Sequence, residues 1–70
     1  MRIKVQQVIV PADSTVGYVI GVPVDDGTKL VVAGADRRGA IELGESFASA
    51  DEQPEVDVPD WAVITVLELP

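Results

Sequence analysis

Through much of this chain large apolar residues recur at every second position. That is the period of a β-strand, in which successive side chains point to opposite faces. The clearest stretch runs from Thr15 to Ala35. Tyr18, Ile20, Val22 and Val24 alternate with Val19, Gly21 and Pro23, and a second apolar run begins at Leu30. Between the runs lies Asp25-Asp26-Gly27. Aspartate followed by glycine between two apolar runs predicts a β-hairpin, because glycine takes positive φ without steric cost. A two-residue turn at Asp26-Gly27 would set Val22 opposite Val31. A type I turn at Asp25-Asp26 with Gly27 as a bulge sets Val22 opposite Leu30 and Ile20 opposite Val32. The second register gathers Tyr18, Ile20, Val22, Val24, Leu30 and Val32 on one face. A slip of one residue would scatter that set, so the apolar pattern selects it. The other face carries Gly17, Val19, Gly21, Lys29, Val31 and Ala33.

The remaining segments read mostly as short strands. Arg2 to Val10 alternates until Gln6-Gln7, where the phase inverts; a bulge there keeps Ile3, Val5, Val8 and Val10 on one side. Pro11 to Ser14 has turn composition, as has Asp36 to Gly39. Ala40 to Leu43 predicts a short strand with Ile41 and Leu43 inward. Gly44 to Pro54 has no strand character and suits an ordered loop or one helical turn, with Phe47 pinned to the core. Glu55 to Val58 alternates between Pro54 and Pro59. Proline cannot donate to a sheet ladder, so this segment is an edge strand or no strand. Trp61 to Leu69 is apolar on both faces: Trp61, Val63, Leu67 and Leu69 on one, Ala62, Ile64 and Val66 on the other. Five or six short strands with tight turns predict one all-β domain over residues 1–70. The expected form is a small antiparallel barrel or sandwich, SH3-like or OB-like, closed by pairing of the first and last strands.

Composition narrows the function classes. The chain has 70 residues with neither cysteine nor histidine. A chain of this size buries only about 60% of its unfolded surface. Disulfides, Cys-based metal sites and the commonest general base are excluded. The net charge is −7, unevenly spread. All five basic residues lie in residues 1–40, whereas residues 41–70 carry eight acidic residues and no basic one. Such a field opposes nucleic acid and anionic membrane and favours basic partners. No signal-peptide pattern and no apolar run of roughly 20 residues is present, so a cytoplasmic location, or one within a viral particle, is expected.

Catalytic constellations are weak. Ser14, Ser46, Ser49, Thr15, Thr28 and Thr65 have no histidine to activate them. Asp25/Asp26 and Glu55/Asp57 could pair for acid–base work, but turn chemistry and a solvated edge explain them as well. The expectation is therefore no enzyme, no cofactor and no metal. Arg37 and Arg38 sit at a predicted turn tip, where single-strand binding would also need stacking aromatics, and the chain has three. Asp51, Glu52, Glu55, Asp57 and Asp60 form an acidic surface that could imitate a phosphate backbone; Glu55 and Asp57 stand about 7 Å apart along a strand. The expected function is protein binding: a self-associating or docking subunit of a larger assembly, of the kind found among phage or mobile-element accessory proteins. Its interface would use Val19, Val31, Trp61, Val63, Ile64 and Val66. The alternative is an acidic inhibitor that mimics nucleic acid.

Overall fold

The computed structural model describes residues 1–49, 52–59 and 62–68. Five strands and one helix follow in the order β1 (Arg2–Ile9), β2 (Val16–Pro23), β3 (Lys29–Asp36), α1 (Arg37–Ser49), β4 (Glu55–Asp57) and β5 (Ile64–Glu68). The strands form a single antiparallel sheet in the order β4-β1-β2-β3-β5. The sheet is open. β1 and β5 do not pair: β4 takes the second side of β1, with Arg2 opposite Asp57, and β5 lies beside β3, with Val31 opposite Val66. The expected closure by first and last strands is thus corrected. The three-residue strand after the helix reaches β1 first.

The β2–β3 hairpin has the register that gathers the apolar set, Ile20 opposite Val32 and Gly21 opposite Val31. Its turn differs in detail, because no glycine among the described residues takes positive φ. The turn is held instead by Asp26, whose amide donates to the Pro23 carbonyl (3.2 Å) and whose carboxylate accepts from the Thr28 amide (3.0 Å) and hydroxyl. An aspartate that bonds the backbone two residues on replaces the glycine geometry. The β1 irregularity falls between Val5 and Gln7, and Ile3, Val5 and Val8 remain on one face across it. The bulged Gln6 exchanges side-chain hydrogen bonds with Gln53 at 2.9 and 3.2 Å. β4 is an edge strand. Pro54 contributes only its carbonyl, accepting from the Val5 amide at 2.8 Å.

The helix is the main departure from expectation. Residues 36–39 are not a turn and residues 40–43 are not a strand: Arg37–Ser49 is one helix. Ala40, Leu43 and Phe47 fall three and four apart, so they share the face turned to the sheet. Gly39 and Gly44 each disfavour a helix by about 1 kcal/mol relative to alanine. Packing on β1, β2 and β3 offsets that.

The core lies between this helix and one face of the sheet. Ile3, Val5, Val19, Val31 and Ala33 are buried there, with Ala40 from the helix. Val58, just past β4, is buried in the same cluster, and Ala62 and Ile64 pack against it. The expected roles of the hairpin faces are therefore exchanged. The Gly17/Val19/Gly21/Val31/Ala33 face is inside, and the Tyr18/Ile20/Val22/Val24 face is not covered by the helix. The physical reason is closeness. A Cβ on Gly17 would overlap the Cβ of Ala40 on the helix. Only the face with small residues lets the helix approach this near. The segment that the small residues admit is the chain's own helix.

Candidate functional site

The cross-strand register gives the composition of the uncovered face. Paired residues in a sheet point to the same side. β4 and β1 contribute Glu55, Asp57, Arg2, Lys4 and Gln7, with Ile9 opposite Tyr18 at the end of β1. β2, β3 and β5 contribute Tyr18, Ile20, Val22, Leu30, Val32, Thr65 and Leu67. One side of the face is thus charged and the other apolar. The apolar side carries Val16, Tyr18, Val24, Val63 and Leu67 exposed to solvent, with Val63 78% exposed. A shallow depression lies over Gly34, walled by Val16, Tyr18, Val32, Val63 and Thr65, with Asp36 at its end. A side chain on Gly34 would find only Val63, at 3.7 to 3.8 Å, so the depression exists because the glycine lacks one. Contiguous exposed apolar surface of this kind marks an interaction site more often than a bare monomer surface.

The residues predicted for an interface are dispersed. Val19 and Val31 are buried beneath the helix at 6% and 0% exposure, so neither can meet a partner. That expectation is corrected by the exchange of faces. Val63 lies on the uncovered face. Ile64 is half-buried against the core, and Val66 is 45% exposed beyond the reach of the helix. Trp61, Asp51 and Asp60 lie outside the described residues. Tyr18 and Val32, which the register gathers on the opposite face of the hairpin, are part of the candidate site. A signal for this was present. β1 alternates unambiguously, with Arg2 and Lys4 opposed to Ile3 and Val5. Arg2 and Lys4 share the face of Val22 and Val24 once β1 pairs with β2.

The charged groups have structural partners. Arg2 bonds Glu55 (Nε–Oε1, 3.3 Å) and Asp57 (Nη1–Oδ1, 3.3 Å) across the β1–β4 pair, and the bonds to Glu55 and Asp57 raise its already high pKa. Glu55 and Asp57 therefore share one guanidinium and do not present two free negative charges at phosphate spacing. Among the acidic candidates Glu52 is exposed. Asp26 is held below the usual carboxylate range, first by the Thr28 hydroxyl and amide and then by Lys29. A carboxylate so stabilised stays ionised at neutral pH and serves the turn. No group of three or more metal-ligating side chains occurs among the described residues.

Arg37 and Arg38 separate sharply. Neither tips a turn. Arg37 opens the helix, and its Nη1 donates to the carbonyls of Pro11 and Ser14 (3.1 Å to Ser14), while its amide donates to the Thr15 carbonyl at 3.3 Å. It ties the helix start to the β1–β2 turn. Arg38 is 88% exposed and, among the described residues, pairs only with Glu42, one helical turn on, at 3.6 Å. Arg37→Ala is expected to cost about 1.5–3 kcal/mol, the usual worth of hydrogen bonds from a charged donor. Arg38→Ala should stay within about 0.5 kcal/mol, since exposed pairs contribute little. Urea titration followed by circular dichroism checks both, and equal effects would deny Arg37 its tethering role.

Comparison with protein families, curated proteins and solved structures finds no match to this chain.

Proposed function

We propose that this protein is a non-enzymatic binding module that docks to protein through the uncovered face of its sheet. The observation that carries the reading is the apolar field around Gly34, bounded by Tyr18, Val32 and Val63 on one side of a face whose other side is charged. Interfaces of this type combine an apolar, desolvated centre with a polar rim, and they are enriched in exposed tyrosine. Here Tyr18 borders the apolar field, and Lys4 and Gln7 supply part of the rim. Docking a second sheet or a helix on this face would cover it as α1 covers the other. The sandwich expected from the sequence would then arise between molecules. The nucleic-acid-mimic alternative has lost its nearest support, because Arg2 neutralises part of the Glu55/Asp57 pair.

The test is photo-crosslinking from two positions in cells that make the protein. Benzoylphenylalanine in place of Tyr18 should give discrete protein adducts, to a second copy or to another protein. The same group in place of Glu42, on the solvent side of α1, should give none. Equal yields from both positions, or none from Tyr18, would overturn the docking reading.

A further inference from the structure

The two edges of the sheet differ in how they meet solvent. β4 has three residues, two of them charged, between Pro54 and Pro59. These are the devices by which natural sheets block edge-to-edge pairing. β5 is longer, at five residues, and carries one charged residue, Glu68. Ile64-Thr65-Val66-Leu67-Glu68 contains no proline, and its pairing with β3 shows no bulge. Along it the Gly34 amide donates to the Val63 carbonyl at 2.8 Å. In an antiparallel ladder the amide and carbonyl of one residue point the same way and alternate along the strand. Val63, Thr65 and Leu67 therefore turn theirs toward β3. Ile64, Val66 and Glu68 turn theirs outward, and among the described residues no strand lies there.

We infer that β5 pairs antiparallel with β5 of a second copy, with Val66 on the two-fold axis, joining two sheets into one of ten strands. Three observations favour a second copy. The first is register: centred on Val66, all five residues find partners. Val66 faces Val66, and Ile64 faces Glu68 of the second copy, with every outward amide and carbonyl bonded. Thr65 and Leu67 then stand opposite each other on the uncovered face.

The second is charge. The edge bears a single ionic group, Glu68, which stands beside Lys29 of its own chain. A strongly basic or acidic strand has no counterpart there, whereas a neutral β-branched strand such as β5 fits. The third is the position of the acidic surface. Glu55 and Asp57 lie on the opposite edge, so nine strand spacings, about 43 Å, would separate the two β4 strands. That is several times the screening length of about 8 Å at physiological salt, so Glu55 and Asp57 of the two copies do not repel each other across this pairing. The pairing concerns the edge and leaves the docking face free. It would double that face, setting the two apolar halves side by side.

The test has two parts. A chain of this length is accessible by chemical synthesis, which allows the Val66 amide to be N-methylated. That removes one outward donor per copy and leaves the bonds to β3 intact. The unmodified chain should sediment as a dimer at micromolar concentration. The methylated chain should be folded by circular dichroism and dissociate at least about tenfold more readily, for two hydrogen bonds lost. An unmodified chain that remains monomeric at high micromolar concentration would overturn the inference, as would a methylated chain that dimerises equally well. In either case crosslinking from position 18 still decides the docking reading separately. If the methylated chain loses its circular dichroism signal, register decides. Thr65→Cys and Leu67→Cys chains, mixed in equal amounts and mildly oxidised, should give the mixed disulfide well beyond its statistical half share. The statistical mixture would overturn the pairing.

Discussion

Val31→Asp is expected to abolish the folded state, whereas Val32→Asp, one residue on, leaves it intact. Val31 is fully buried at the middle of β3, between Gly21 of β2 and Val66 of β5, within the cluster of Ile3, Val5 and Val19. Among the described residues no buried polar or charged side chain is present to receive a carboxylate there. An unpaired carboxylate in such a place must be protonated or expelled, at a cost of several kcal/mol. A 70-residue domain has on the order of 4–10 kcal/mol of stability in total. Val32 points to the other side, between Ile20 and Thr65, and is only half-buried. An aspartate there keeps water contact and costs about 1 kcal/mol in strand preference. Far-UV circular dichroism and thermal melting of the two variants read the difference directly. The reverse order of stability would mean that the helix packs on the opposite face.

That pair of variants also marks where the sequence stops being legible. The hairpin register could be read because one-residue slippage would have split an apolar set in two. The bulge could be read because the phase of β1 inverts at Gln6-Gln7. Pro54 and Pro59 disclosed that β4 lies at an edge. Each is a local rule with a local cause. Choosing the buried face is not local. Both faces of the hairpin are apolar, and side-chain size alone favours the one with Tyr18, Ile20 and Val22. The decision falls to the second layer, and the second layer was hidden. Ala40-Ile41-Glu42-Leu43 alternates like a strand over four residues, and Gly39 and Gly44 weaken any helical reading. What remained was the spacing of Ala40, Leu43 and Phe47, too short a series to outweigh the alternation.

The same logic explains why the interface residues were half misplaced. Without a helix, the face with Val19 and Val31 was left to an interface. With the helix in place that face is satisfied internally, and the unsatisfied surface moves to Tyr18, Val32 and Val63. The acidic candidates changed meaning through a contact that no spacing rule foresees. Arg2 and Glu55 are 53 residues apart in sequence and become neighbours only because β4 returns to β1.

The helix owes its place to Gly17, and a coupled substitution tests this. Gly17→Ala adds one methyl group where the Cβ of Ala40 already stands, with the Ile9 carbonyl oxygen 3.2 Å away on the other side. The strand is held on both sides by β1 and β3, so the helix must move. Moving it draws Ala40, Leu43 and Phe47 away from the sheet together, since they share one rigid face. Overpacking of this kind costs about 1–3 kcal/mol, and the loss should lie at the upper end because the obstruction is backbone-borne at both contacts. Ala40→Gly alone is expected to cost about 1 kcal/mol through helix propensity. Combined with Gly17→Ala it removes the obstructing methyl, so the double variant should be more stable than the sum of the single losses by at least about 1 kcal/mol. Gly39→Ala supplies the contrast: nothing lies within 4 Å of its Cβ position, and its φ is not positive. It should gain up to about 1 kcal/mol from propensity alone. Urea titrations of the four variants give all the terms. Strict additivity between positions 17 and 40 would mean that the helix sits elsewhere, and with it the assignment of the uncovered face would fall.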